Sequence, residues 1–147
     1  MTKRLVIFAL SAVTFAVAPQ ALKASDADAL CPLGNETLHG TYMVHGSGTV
    51  LGLGPVASNG MTTFDGKGHA VNTFSASVNG EIHRGVTVGG TYAVNPDCTG
   101  TRLASDGSTY DFVVMPDGST FSSIEVDSGT VILGSAVRFT YRRLDDD

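Results

Sequence analysis

The chain has 147 residues, with 9 basic and 14 acidic side chains for a formal net charge of −5, 18 glycines and no tryptophan. The mild acidity, with no block of lysine or arginine, argues against nucleic acid or anionic membrane as the main partner. The length suits one domain with a single core and is too short for two.

In chain order, residues 1–24 read as a secretory signal peptide. Lys3 and Arg4 precede an apolar run from Leu5 to Ala18, and small residues suited to cleavage after Ala24, with Ala21 second, follow it. The run falls short of the ~20 residues that a spanning helix needs, and no later stretch approaches that length, so no membrane span is expected. The sequence therefore predicts export, to the periplasm or beyond, of a mature chain with two parts. Residues 25–39 form an N-terminal segment and 40–147 a β-barrel domain. Cys31 and Cys98 are the two cysteines, and in an exported chain they are expected to pair, tethering the segment to the domain.

After the signal, no apolar spacing of helical period recurs, whereas turn chemistry does. Asp65-Gly66-Lys67-Gly68, Asn79-Gly80, Asn95-Pro96-Asp97, Asp106-Gly107, Pro116-Asp117-Gly118 and Asp127-Ser128-Gly129 separate segments rich in Thr, Val and Ser. The segments between them predict strands near 40–50, 61–65, 69–78, 81–88, 90–95, 101–105, 109–115, 119–126 and 130–142, eight or nine in sequential order. With no crossover helix, closure into an antiparallel up-and-down barrel of about eight strands removes the two exposed edges of an open meander. A two-sheet sandwich is the alternative.

The segments Phe64–Gly68 (FDGKG), Gly90–Gly100 (GTYAVNPDCTG) and Gly134–Phe139 (GSAVRF) resemble those of small exported bacterial proteins of the allene-oxide-cyclase-type barrel group, which is calycin-like in architecture. The resemblance spans roughly residues 40–142 and implies a barrel with a ligand-sized lumen. It carries no catalytic residue onto this chain.

Hairpin register then predicts which side chains share the lumen. A two-residue turn at Asp106-Gly107 sets Arg102 opposite Asp111 on the solvent side and Leu103 opposite Tyr110 inside. Three-residue loops at 116–118 and 127–129 carry the inner face through Phe112, Val114, Ser122, Ile124, Val126, Ile132, Gly134, Ala136 and Arg138, leaving Glu125 outside. Across Asn79-Gly80, His83 falls beside Ala76, on the face of Phe74 and Asn72. The expected lumen is apolar, with Asn72, His83, Tyr110 and Arg138 as its ligand-orienting polar groups. The other face of the last strands is unusually apolar: Val113, Met115, Phe121, Val131, Leu133, Val137 and Phe139 point outward, toward the N-terminal segment or a second copy of the chain, the alternative being that this face is the interior and the two faces are exchanged.

No catalytic motif is legible. The spacings of His39, His45, His69 and His83 match no metal-ligand pattern, and no metal or cofactor is expected. His45-Gly46-Ser47-Gly48 lacks the strand-to-helix elbow of a serine hydrolase. The sequence thus points to an exported barrel that binds a small, largely apolar molecule. The alternatives are a cofactor-independent cyclase or isomerase acting in the lumen, and a fully packed structural module. A cavity separates the first two from the third, and an inward Glu or His at that cavity separates enzyme from binder.

Overall fold

A computed structural model describes residues 29–140; the signal-peptide reading and the acidic tail Asp145–Asp147 lie outside the described residues. A short 3-10 turn, Gly34–Thr37, precedes eight strands: β1 His39–Val50, β2 Gly54–Asp65, β3 His69–Val78, β4 Glu81–Val94, β5 Thr99–Ala104, β6 Thr109–Val114, β7 Thr120–Glu125 and β8 Thr130–Arg138. Each strand pairs antiparallel with the next, and β8 returns to β1, closing the barrel that the recurring turns predict. Asn79-Gly80 is the expected two-residue turn. Val78 pairs with Glu81, and Asn79 and Gly80 have φ of 49° and 90°, the left-handed values that favour these two residue types.

Two strands differ from the sequence reading. The segments 81–88 and 90–95 form one strand, β4, with a bulge inside it: Phe74 pairs with Val86 and Ala76 with His83, so Arg84 and Gly85 together oppose Ser75. Gly85, at φ 64°, supplies the conformation that the bulge needs. Strand β2 begins at Gly54 instead of residue 61. Its first half, GPVASNG, has little intrinsic β preference, and continuous pairing with β1 from Val50–Gly54 to His39–Asp65 recruits it.

Three loop lengths correct the expected faces. The turn after β5 spans Ser105 to Gly107, with the Ala104 and Ser108 backbones bonded across it, so Arg102 pairs with Tyr110 and Leu103 with Thr109. Arg102 therefore points inward and Leu103 outward. The loop after β6 has one residue more than expected: Met115 N–H donates to the Thr120 carbonyl, and Val114 pairs with Phe121. Phe121, Ser123 and Glu125 turn in, while Ser122, Ile124 and Val126 turn out. The β7–β8 loop deviates by one residue as well, restoring Ile132, Gly134, Ala136 and Arg138 to the inside as expected. In each case a side-chain period of two turns a single-residue slip into an exchange of faces.

One end of the barrel is filled. Tyr42, Phe64, Tyr92, Phe112 and Phe121 meet there edge-on or tilted, with Phe64 and Tyr92 ring centroids 5.0 Å apart and Tyr42 and Phe64 5.3 Å apart. Residues 31–38 cross this end and bury Leu38 completely. Cys31 is disulfide-bonded to Cys98, as expected, and its N–H donates to the Pro96 carbonyl. The Tyr92 hydroxyl lies 2.8 Å from the Leu38 carbonyl and 3.0 Å from that of Asn35, fixing the segment to β4.

The exterior is not uniform. On β1 to β3 it mixes polar groups, among them Ser47, Thr49, Thr63, Thr73, His45 and Asn59, with the exposed apolar side chains Met43, Met61 and Val71. On β6 to β8 it is apolar, as the sequence suggests: Val113, Met115, Val131, Leu133, Val137 and Phe139 are all about half exposed, joined by Ile124 and Val126. The segment 31–38 covers the barrel end and, among the described residues, leaves this face open.

Candidate functional site

The opposite end is a mouth, and the sequence explains why it is hollow. Around the wall runs a row of paired inward residues, Ala76–Ser58–Gly46–Gly134–Ser123, all small. Larger side chains along this row would fill the middle of the lumen; these leave a cavity of about 300 Å³ above the aromatic floor of Phe64, Phe112 and Phe121. Val44, Val56, Phe74, Val78, Val88 and Ile132 supply apolar wall, and Leu53 and Asp106 stand at the mouth. The volume lies at the small end of the ~300–1,000 Å³ typical of ligand pockets.

Polar chemistry is concentrated on one side. Arg102, Tyr110 and Glu125 are cross-strand neighbours on β5, β6 and β7, and all three line the cavity. The Arg102 guanidinium carbon sits 5.5 Å from the Tyr110 ring centroid, over the ring face. Burial pushes the Tyr110 hydroxyl up to about 12, with the Glu125 charge adding to it. Burial also raises the Glu125 carboxyl above its ordinary range, helped by Asp127 and Asp106 and opposed by Tyr110. The same desolvation lowers Arg102, against the favourable charges of Tyr110 and Asp106. Across the lumen the Asn72 Oδ1 is buried without a hydrogen-bond partner.

Of the four residues expected to orient a ligand, the structure brings Asn72 and Tyr110 to the cavity. His83 lies on the lumen-side face of β4 beside Ala76, beyond the bulge; it is exposed at the rim, its Nε2 3.8 Å from the Glu81 carboxylate, and it does not line the cavity. Arg138 points inward at the filled end, below the aromatic floor. Its Nε donates to the Tyr42 hydroxyl at 3.1 Å and its Nη2 to the Gly118, Asp117 and Thr37 carbonyls at 2.8, 3.2 and 3.3 Å. This arginine clamps the β6–β7 loop and the N-terminal segment together. Arg138→Met is expected to cost ~1–3 kcal/mol in chemical denaturation, the range for lost hydrogen bonds to a charged group. A loss below about 0.5 kcal/mol would remove the clamp from the account.

Sequence reasoning missed Arg102 and Glu125, each assigned to solvent by a slip of one residue. The row of small residues was visible as individual Gly, Ser and Ala, but only strand pairing shows that they form a ring segment. Among the described residues, no three His, Cys, Asp or Glu side chains are grouped to hold a metal ion.

The fold and site thus define a closed antiparallel β-barrel with one plugged end and a ligand-sized, mostly apolar lumen open at the other. No family model and no curated protein matches the chain. Among solved structures it is similar to a de novo designed fluorescence-activating β-barrel, at 13% identity and a TM-score of 0.45, over 71% of this chain and 96% of the designed one.

Proposed function

We propose that this chain is an exported, calycin-like barrel that binds a small, largely apolar molecule in its lumen. The observation that carries this reading is the cavity itself. The lumen has a packed aromatic floor, and above it a row of paired small residues leaves open a space whose remaining wall is apolar. Hydrophobic burial rewards an apolar occupant of that space at about 25 cal/mol per Å² removed from water. Protein purified gently from its own host is expected to carry one apolar molecule per chain in native mass spectrometry. Ser123→Phe, which projects a ring into the cavity, is expected to abolish that adduct. An adduct unaffected by Ser123→Phe would place the ligand elsewhere, and repeated absence of any adduct would count against the reading.

A second reading, a cofactor-independent isomerase or cyclase of allene-oxide-cyclase type, is favoured by Glu125. This inward carboxyl, raised by burial and adjacent to Tyr110, is the acid–base group at the cavity that such chemistry needs. The recovered molecule separates the two. A binder returns it unchanged after incubation with fresh protein, whereas an enzyme returns an isomer of the same mass, and Glu125→Gln stops the conversion.

A further inference from the structure

We infer that the lumen ligand carries a carboxylate, or an anion of the same planar two-oxygen geometry, and that Arg102 is the residue that recognises it. This rests on the lumen reading above and adds the chemistry of the ligand's polar end. Arg102 Nε and Nη2 are both buried and both lack a hydrogen-bond partner. These two nitrogens form the side edge of the guanidinium, where two parallel N–H bonds match the two oxygens of a carboxylate. An uncompensated edge of this kind is among the costliest arrangements a protein interior can hold.

The protein's own acids do not neutralise it. Among the described residues the ion pairs within 4.0 Å are His69–Asp65 and His83–Glu81, and neither involves Arg102. Asp106 stands at the mouth and its charge favours the guanidinium without bonding to it, and Glu125 lies one strand beyond Tyr110. Tyr110 presents its ring face to the guanidinium carbon in a cation–π contact, which supplies no hydrogen-bond acceptor to Nε or Nη2. The orphaned Asn72 Oδ1 elsewhere on the cavity wall would accept a bond from a hydroxyl or amide farther along the ligand. The occupant that satisfies these groups together is an amphipathic acid: an apolar body in the Val and Phe wall and a carboxylate against Arg102.

The test uses three probes that share one apolar chain, decanoate, decanol and decylamine, titrated calorimetrically into the full protein with its disulfide intact. Decanoate is expected to bind about 10- to 100-fold more tightly than decanol, the range for a hydrogen bond to a charged group. Arg102→Met brings the ratio of the two affinities close to one. Arg102→Lys, which keeps the charge but loses the fork, recovers only part of it. Glu125→Gln, which removes a neighbouring negative charge, tightens decanoate. Ligand-free Arg102→Met is expected to melt at a higher temperature than wild type, because it deletes a partly buried cation with two unpartnered nitrogens; a lower melting temperature would make Arg102 a structural arginine and overturn the assignment. Equal affinity for decanoate and decanol would overturn it while leaving the lumen reading in place, and so would a preference for decylamine. If none of the three probes binds, the lumen reading falls first and this inference with it.

Discussion

A chain with Cys31 and Cys98 both replaced by serine is expected to unfold with about 4 kcal/mol less free energy than wild type. The disulfide closes a loop with a sequence separation of 67 residues, and the chain-entropy model assigns roughly that much to a loop of this length. The structural consequence is local as well as global. Cys31 anchors the segment that buries Leu38 and supplies the carbonyls facing the Tyr92 hydroxyl, so without the bond this plug competes with solvent for those contacts. Cys98 also occupies a turn position at φ 68°, which glycine ordinarily fills. A Cys31→Ser, Cys98→Gly chain should therefore be less impaired than the double serine, by up to about 1 kcal/mol. Urea denaturation of the three chains measures both differences, and a double-serine loss below about 1 kcal/mol would show that the plug does not depend on its staple.

Tyr42→Ala is expected to be the most damaging single substitution at the filled end, at about 3–5 kcal/mol. Tyr42 has no exposed surface, packs edge-on against Phe64 and tilted against Phe121, donates its hydroxyl to the Gly118 carbonyl at 2.6 Å and accepts from Arg138 Nε. Removing the ring opens a cavity beneath the aromatic floor and strands a charged donor and a buried carbonyl together. Tyr42→Phe separates the two contributions. It keeps the packing and leaves the Gly118 carbonyl and Arg138 without the hydroxyl, so it should cost ~1–3 kcal/mol. Thermal melts of both variants check the order. An alanine variant no worse than the phenylalanine variant would mean that the ring packing contributes little to holding the barrel end.

The sequence reading captured what local chemistry controls. Asn79-Gly80 can adopt the paired left-handed conformation of a two-residue turn, and it forms that turn with Val78 opposite Glu81. Recurring turns and the absence of helical spacing were enough for an antiparallel barrel of eight strands, and two cysteines were enough for their bond. The polar half of the site was not legible, because it depends on loop lengths that composition leaves open. Asp106-Gly107 fits a two-residue turn as well as the three-residue turn that forms, and that difference moves Arg102 from solvent to lumen. Pro116-Asp117-Gly118 likewise hides a fourth loop residue, Ser119, which turns Phe121 and Glu125 inward. Arg138 shows the opposite limit. Its face was read correctly, because two slips cancelled, but depth along the barrel was not, and depth separates a clamp at the filled end from a group at the cavity. His83 is similar: the Asn79-Gly80 turn sets it beside Ala76 on the inner face, but at the exposed rim and not at the cavity.

The central claim is that the apolar ligand occupies the inside of the barrel, and the alternation of strand side chains lets one spectrum test it. Val56, Val88 and Ile132 line the cavity, while Val71, Val131 and Leu133 lie on the outer surface, each half exposed or more. In a methyl-labelled sample titrated with decanol, the resonances of Val56, Val88 and Ile132 are expected to shift and saturate at one ligand per chain, with those of Val71, Val131 and Leu133 unmoved. Saturating shifts confined to Val131 and Leu133, with the inner methyls unchanged, would place binding on the outer apolar face and contradict the lumen as the site.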